Sequence, residues 1–259
     1  MSLLEVRNLS VRFGGLLAIE DLSFEVREGE VLSLIGPNGA GKTTAFNAIT
    51  GYLAPASGEI LFRSTRLNNK KSNEIAALGL VRTFQKTSLF GNRSALENVL
   101  IGLHVRAKQT PLAILLGLPY VTREERALEA EALELLRFVG LERRKAELAN
   151  ALAYGEQRLL EVAVALAAKP KLLLLDEPVS GMNPSETAGF MAKLAEIRAL
   201  DVTVLLVEHD MKMVMGVSDR VVCLSQGRVI ASGTPAEIQR HPEVIKAYLG
   251  EKYARAHGY

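Results

Sequence analysis

The sequence predicts an α/β fold: a mostly parallel sheet with an antiparallel N-terminal β flank, plus an inserted helical subdomain. Three observations carry that expectation. The apolar run EVLSLIG (30–36) ends on a glycine turn that leads straight into a helix-like segment. Two more near-continuous apolar runs, PKLLLLDE (170–177) and DVTVLLVEHD (201–210), read as central parallel strands covered on both faces. Between Gln85 and Pro170 the pattern takes the helical period, best seen where Leu128, Ala132, Leu135, Leu136 and Val139 share one face.

Taken in order, LLEVRNL and DLSFEVREG alternate as short strands and form the antiparallel flank before EVLSLIG. After Gly41, KTTAFNAITGYL carries helical spacing and stops at Gly51. In the helical insert, Thr122 is the expected N-cap with Glu125 three residues on, and Gly140 the left-handed C-cap. RVVCLSQGRVIASG reads as a hairpin turning at Gln226-Gly227, and HPEVIKAYLGEKYARAHGY as a short helix plus a polar tail. The expected organisation is one domain over 1–259, with a helical subdomain at 86–169 and a C-terminal helix and tail at 234–259.

Composition narrows the function classes. The chain has 259 residues, and 31 Lys+Arg against 29 Asp+Glu leave a net +2, which disfavours a nucleic-acid partner. Cys223 has no internal disulfide partner, and four scattered His residues make no metal cluster. The start MSLLEVRNLSVRF has neither a basic n-region nor an apolar h-region, so a cytoplasmic location is expected. PLAILLGLPYV (111–121) is shorter than the ~20 residues needed to span a bilayer.

Gly36-Pro37-Asn38-Gly39-Ala40-Gly41-Lys42-Thr43, followed by Thr44, has the spacing of a phosphate-binding loop. Its glycines let backbone N–H groups turn toward the β-phosphate, Lys42 brings charge to the β/γ oxygens, and Thr43 offers a hydroxyl to Mg²⁺. Asp176 and Glu177 end a buried strand, where open α/β sheets bind ligands. Asp176 is suited to hold Mg²⁺ through its water shell, and Glu177 to act as general base on the attacking water.

The order GPNGAGKTT, TFQ, AYGEQ, LLLLDEP, VEHD resembles the ATP-binding-cassette (ABC) ATPases over essentially the whole chain. The resemblance implies a P-loop ABC core binding ATP and Mg²⁺. It implies that Phe13 stacks on adenine, although a strand core position fits Phe13 equally well. It implies that Gln85 reaches Mg²⁺ and the attacking water, and that His209 contacts the γ-phosphate. Tyr154, Gly155 and Gln157 then belong to the signature, which offers backbone amides to the γ-phosphate bound by another subunit. The closed state would be a head-to-tail dimer, homo- or heteromeric, sandwiching two ATP.

At three places the sequence departs from the family pattern. Ala153 stands where a serine is usual, Leu159 and Val164 stand where relatives often carry Arg, and Gly181-Met182-Asn183 replaces a Leu-Asp pattern. Within the family, Tyr154, SGMNP (180–184), EHDMKMVMGVSDR (208–220), HPEVIKAYLG (241–250) and the insert His104 to Arg123 look like the ATPases of branched-chain amino-acid importers. Urea-import and lipopolysaccharide-export ATPases share several of these features. The resemblance implies transmembrane permease subunits, indirectly a periplasmic-type substrate-binding protein, and a place at the inner face of the membrane. A soluble mechanical ABC ATPase would commonly carry heptads, tandem cassettes or zinc-site cysteines, all missing here. A small-substrate P-loop kinase would leave the YGEQ segment and His209 without a role. Met211, Met213 and Met215 read as packing residues, Glu142 to Glu147 as a solvated face and Cys223 as a core thiol.

Overall fold

The computed structural model describes residues 2–83, 89–106 and 119–249. The N-terminal flank is an antiparallel sheet in which β1 (Ser2–Phe13) pairs with β2 (Leu16–Arg27) and with β4 (Ser57–Phe62), which is followed by β5 (Thr65–Arg66). The first two strands are 12 residues each, longer than the alternation in the sequence suggests. Register shifts within β1 break the strict period of two on which that reading relies.

The second sheet holds β3 (Val31–Ile35), β6 (Leu80–Arg82), β7 (Leu172–Asp176), β8 (Thr203–Val207), β9 (Arg220–Ser225) and β10 (Arg228–Gly233). Its order is β10-β9-β3-β8-β7-β6, and every neighbouring pair is parallel except the β9/β10 hairpin. Gln226 (φ 48°) and Gly227 (φ 79°) both take left-handed backbone, as the two-residue turn of a tight hairpin requires.

Every residue of β3, β7 and β8 is buried, because both faces of the sheet are covered. Leu172, Leu174, Leu205 and Val207 pack toward the antiparallel sheet and α1 (Lys42–Ile49). Alternate residues Leu173, Leu175, Val204 and Leu206 pack with Phe190, Leu194 and Ile197 of α6 (Pro184–Arg198). The continuous apolar runs in the sequence thus serve two separate cores.

A short α2 (Ser72–Ala77) precedes β6. In the middle of the chain, α3 (Ala95–His104), α4 (Pro119–Phe138) and α5 (Tyr154–Ala167) share a third core around Val99, Leu103, Ala132, Leu136, Leu160 and Ala163. The expected cap at Thr122 is corrected: α4 is already helical at Pro119, so Thr122 lies within it. At the other end Gly140 has φ 80°, with Leu141 N–H donating to Leu136 C=O at 2.8 Å and Gly140 N–H to Arg137 C=O at 3.0 Å. These two bonds make a Schellman stop, and Leu136 and Leu141 bury its apolar contact.

α7 (Met211–Val217), α8 (Pro235–Arg240) and α9 (Pro242–Leu249) pack over β9 and β10 around Cys223, Ile238 and Val244. Burial pushes the Cys223 thiol up to about 11, as expected of an inert core thiol. Among the described residues, no helix is long and apolar enough to cross a membrane.

Candidate nucleotide site

The glycine-rich loop joins the end of β3 to α1, and the local backbone explains its composition. Gly36 has φ 149°, and a Cβ there would lie 2.2 Å from the Leu224 carbonyl oxygen. Gly41, at φ 101°, is the N-cap of α1 and provides no side-chain acceptor, so the first N–H groups of that helix are left for a ligand. The neighbouring hairpin braces the loop, Gly227 N–H donating to Ala40 C=O at 3.1 Å while Glu20 N–H donates to Gly227 C=O at 3.0 Å. Beside the loop lies a cleft of about 530 Å³, walled by residues 38–44, Leu16, Leu17, Ala18, Glu177 and Gln226.

Lys42 is buried, and its Nζ donates to the Gly36 and Pro37 carbonyls at 2.7 and 3.1 Å. Desolvation lowers its pKa, while Glu177, Cys223 and Asp176 pull the other way. Thr43 is exposed at the cleft wall. Asp176, at the end of β7, is buried and joined through Oδ2 to Arg82 Nη2 at 2.7 Å. Arg82 Nη1 also donates to Asn47 and Thr50, at 2.7 and 3.2 Å, so the aspartate is held against α1.

Glu177 takes φ 48°, uncommon for a residue with a side chain, and its N–H donates to Val207 C=O at 2.8 Å. Such strain costs on the order of 1–3 kcal/mol and collects at functional sites. At the end of the neighbouring strand β8 stands His209, with Nδ1 3.9 Å from Glu177 Oε1. The cleft residues, Asp176, Glu177 and His209 thereby converge at the C-terminal ends of three adjacent strands, β3, β8 and β7.

The 153–157 segment forms the N-terminus of α5 and, among the described residues, contributes nothing to the wall of this cleft. Ala153 is the N-cap, and Gln157 Nε2 donates to Leu152 C=O at 2.9 Å. Tyr154 accepts from Arg158 Nη2 at 2.8 Å, while Arg158 pairs with Glu161 in a buried bridge of 2.8 Å. Gly155 is packed so tightly that an added Cβ would lie 3.1 Å from Glu186 Oε1. Phe13 ends β1 with half its surface exposed, beside Leu16 across the turn. Gln85 lies outside the described residues.

Sequence reasoning passes over Arg82, Leu16, Leu17, Ala18 and Gln226. Arg82 stands three residues before Gln85 but in no phosphate motif, and the three residues of β2 are ordinary strand residues. Gln226 was visible only as a hairpin corner.

Comparison with known proteins decides the family. Residues 19–180 match the family model for ABC transporters, and residues 228–254 that for branched-chain amino acid ATP-binding cassette transporters. The chain belongs to the ABC transporter family. As an ABC cassette it binds nucleotide and hydrolyses ATP as part of a transporter. It is 46% identical to the high-affinity branched-chain amino acid transport ATP-binding protein LivG of Salmonella typhimurium, covering 96% of this chain and 98% of that protein. Its identity to BraF of Pseudomonas aeruginosa is 45%, with the same coverage. The cassette also superposes on a nucleotide-free ATP-binding cassette from an ABC transporter with a TM-score of 0.84 at 31% identity, covering 97% of this chain and 100% of that one. For an ATP-binding cassette in its ADP conformation the TM-score is 0.85 at 32% identity, with the same coverage.

Proposed function

We propose that this cassette hydrolyses ATP in a head-to-tail dimer and so drives a membrane permease that imports branched-chain amino acids. The observation that carries the dimer is the separation of the signature from the loop cleft: each chain carries both ends of a phosphate site, but at separate places, so one complete site takes two chains. In this reading Phe13 stacks on adenine, residues 36–44 wrap the phosphates, and Lys42 leaves its loop carbonyls for the β/γ oxygens. Thr43, Asp176 and Gln85 hold Mg²⁺; a hydroxyl, a carboxylate and an amide are hard oxygen donors that suit this ion. Held there, Mg²⁺ would supply positive charge to offset the charge of the phosphates. Glu177 takes the proton of the attacking water, His209 steadies the γ-phosphate, and the partner subunit's Tyr154, Gly155 and Gln157 close the site from the other side.

LivG and BraF, together with the C-terminal match over residues 228–254, support the cargo class. A cytoplasmic cassette docked at the inner face of the membrane, served by a periplasmic-type binding protein, follows from it. Residues 86–169 act as the helical subdomain, and the segment from Gln85 to Tyr120 docks on the permease helices; PLAILLGLPY (111–120), its most apolar part, lies mostly outside the described residues, while exposed Phe90 and Val105 supply apolar surface within them. Glu177→Gln tests the chemistry: hydrolysis should fall roughly a hundred- to ten-thousand-fold, with ATP binding kept and an ATP-bound dimer accumulating on sizing chromatography. Wild-type turnover in that variant removes Glu177 as base. Proteoliposomes holding the cassette, its permease and its binding protein test the cargo: leucine, isoleucine and valine should be taken up with ATP, and uptake of urea instead reassigns it.

A further inference from the structure

Glu208 has no part in the chemistry above, yet its side chain has 0% exposure. A buried carboxylate is costly unless its charge is answered by hydrogen bonds, and here backbone groups answer it. Oε1 accepts from Val179 N–H at 3.1 Å, and Oε2 accepts from His209 N–H at 3.0 Å and Asp210 N–H at 3.3 Å. Val179 lies two residues after Glu177, on the way to Gly181–Asn183. One carboxylate therefore joins two loops that leave adjacent strands, β7 and β8, and are far apart in sequence. For packing alone an apolar side chain would serve this position at lower cost.

We propose that Glu208 is a positioning residue that fixes the loop after Glu177 against the loop of His209, so that both side chains meet the γ-phosphate in one geometry. The inference rests on the roles given above to Glu177 and His209. It also makes movement of the 181–183 loop felt at His209, since the two share a single anchor.

The test uses the assembled transporter. Glu208→Gln keeps volume but replaces one acceptor with a donor, so at least one of the two loops loses its bond. Glu208→Asp keeps the charge but is too short to reach both. Each should lower kcat roughly ten- to a hundredfold, the scale expected when reacting groups are misplaced by about an ångström, while ATP affinity stays within about twofold. Amide hydrogen exchange at Val179 and His209 should accelerate. Combined with His209→Ala, Glu208→Gln should cost less than the product of the two separate losses, because both act partly through the same imidazole. A kcat within about twofold of wild type in Glu208→Gln, unchanged exchange at both amides, or strictly multiplicative losses overturn the proposal. Loss of the folded state in both variants also overturns it, since Glu208 would then serve the fold alone. Wild-type hydrolysis by Glu177→Gln would defeat the reading of the site itself, and exchange at Val179 and His209 would still report whether Glu208 ties the loops.

Discussion

The N-termini of α1 and α5 are alike in one respect and opposite in another. Both start on a residue without a side-chain acceptor, Gly41 and Ala153, whereas Ser94, Asn183, Asp210 and Thr234 cap α3, α6, α7 and α8 through their side chains. Lys71 also leaves α2 without such a cap, at a start on the exposed surface. Open N–H groups at a helix start attract anions. The start of α1 sits in a cleft with a buried lysine and the site carboxylates around it. The start of α5 stands outside that cleft, with Tyr154 41% exposed and Ala153 N–H donating to Glu156 at 3.0 Å. In the proposed dimer the first end holds the polyphosphate of its own chain, and the second meets one bound by the partner.

Removing the cation from the first end should have the larger effect. Lys42→Ala loses the charge-assisted contacts to the β/γ oxygens and leaves the Gly36 and Pro37 carbonyls without their donor. Such contacts are worth roughly 1.5–3 kcal/mol each, so ATP affinity should weaken by about a hundredfold or more. Calorimetry with Mg²⁺ present checks this, and equal affinities in mutant and wild type would dissolve the distinction between the two ends. The fold should survive, because the buried β3 and the α1 core do not involve the ammonium group.

Breaking the second end should spare binding and damage turnover. In Gly155→Asp the new Cβ would lie 3.1 Å from Glu186 Oε1, so the added carboxylate crowds a second one before any partner arrives. Turnover in the assembled transporter should fall by at least roughly tenfold, while ATP binding to the isolated chain stays within about twofold. Gly155→Ala supplies the control: it meets the same contact without charge and should lose less. Normal hydrolysis by Gly155→Asp in the full transporter makes the α5 end irrelevant to the site and favours a self-contained P-loop enzyme.

The two ends also differ in how far the sequence exposes them. The loop at 36–44 is legible because backbone approach to Leu224, left-handed φ angles and a buried cation bonded to the loop carbonyls each demand a particular residue type at a fixed spacing. β3, β7 and β8 are legible for a related reason, since burial on both faces leaves mostly apolar choices, Ser33, Thr203 and Asp176 being the polar members. The α5 end is not: Ala153 and Gly155 look like any small residues at a helix start, and only resemblance to a family gave them a role. Arg82 and Glu208 fall further out of reach. Their bonds run to Asp176 and Val179, 94 and 29 residues away, and only strand order brings them together. At Thr122 the capping pattern misleads, because the helix is already under way there.

The smallest expected effect, and the most discriminating, is that of Ala153→Ser. Glu156 already accepts from the residue 153 N–H at 3.0 Å, which is one half of a capping box. A serine hydroxyl there has two competing uses. Accepting from the Glu156 N–H would complete the box and stabilise α5 by about 1 kcal/mol, seen as a small rise in Tm. Donating to the partner's γ-phosphate would instead tighten the ATP-bound dimer, by at most about tenfold, the equivalent of roughly 1.4 kcal/mol. A hydroxyl can do both at once, since it donates one proton and accepts through a lone pair. Turnover should therefore be kept or raised, with Tm and dimer affinity rising together. A higher Tm with lower turnover would show the new cap consuming an N–H that the phosphate needs, and Ala153 would then be the residue that keeps this helix end open for the second chain.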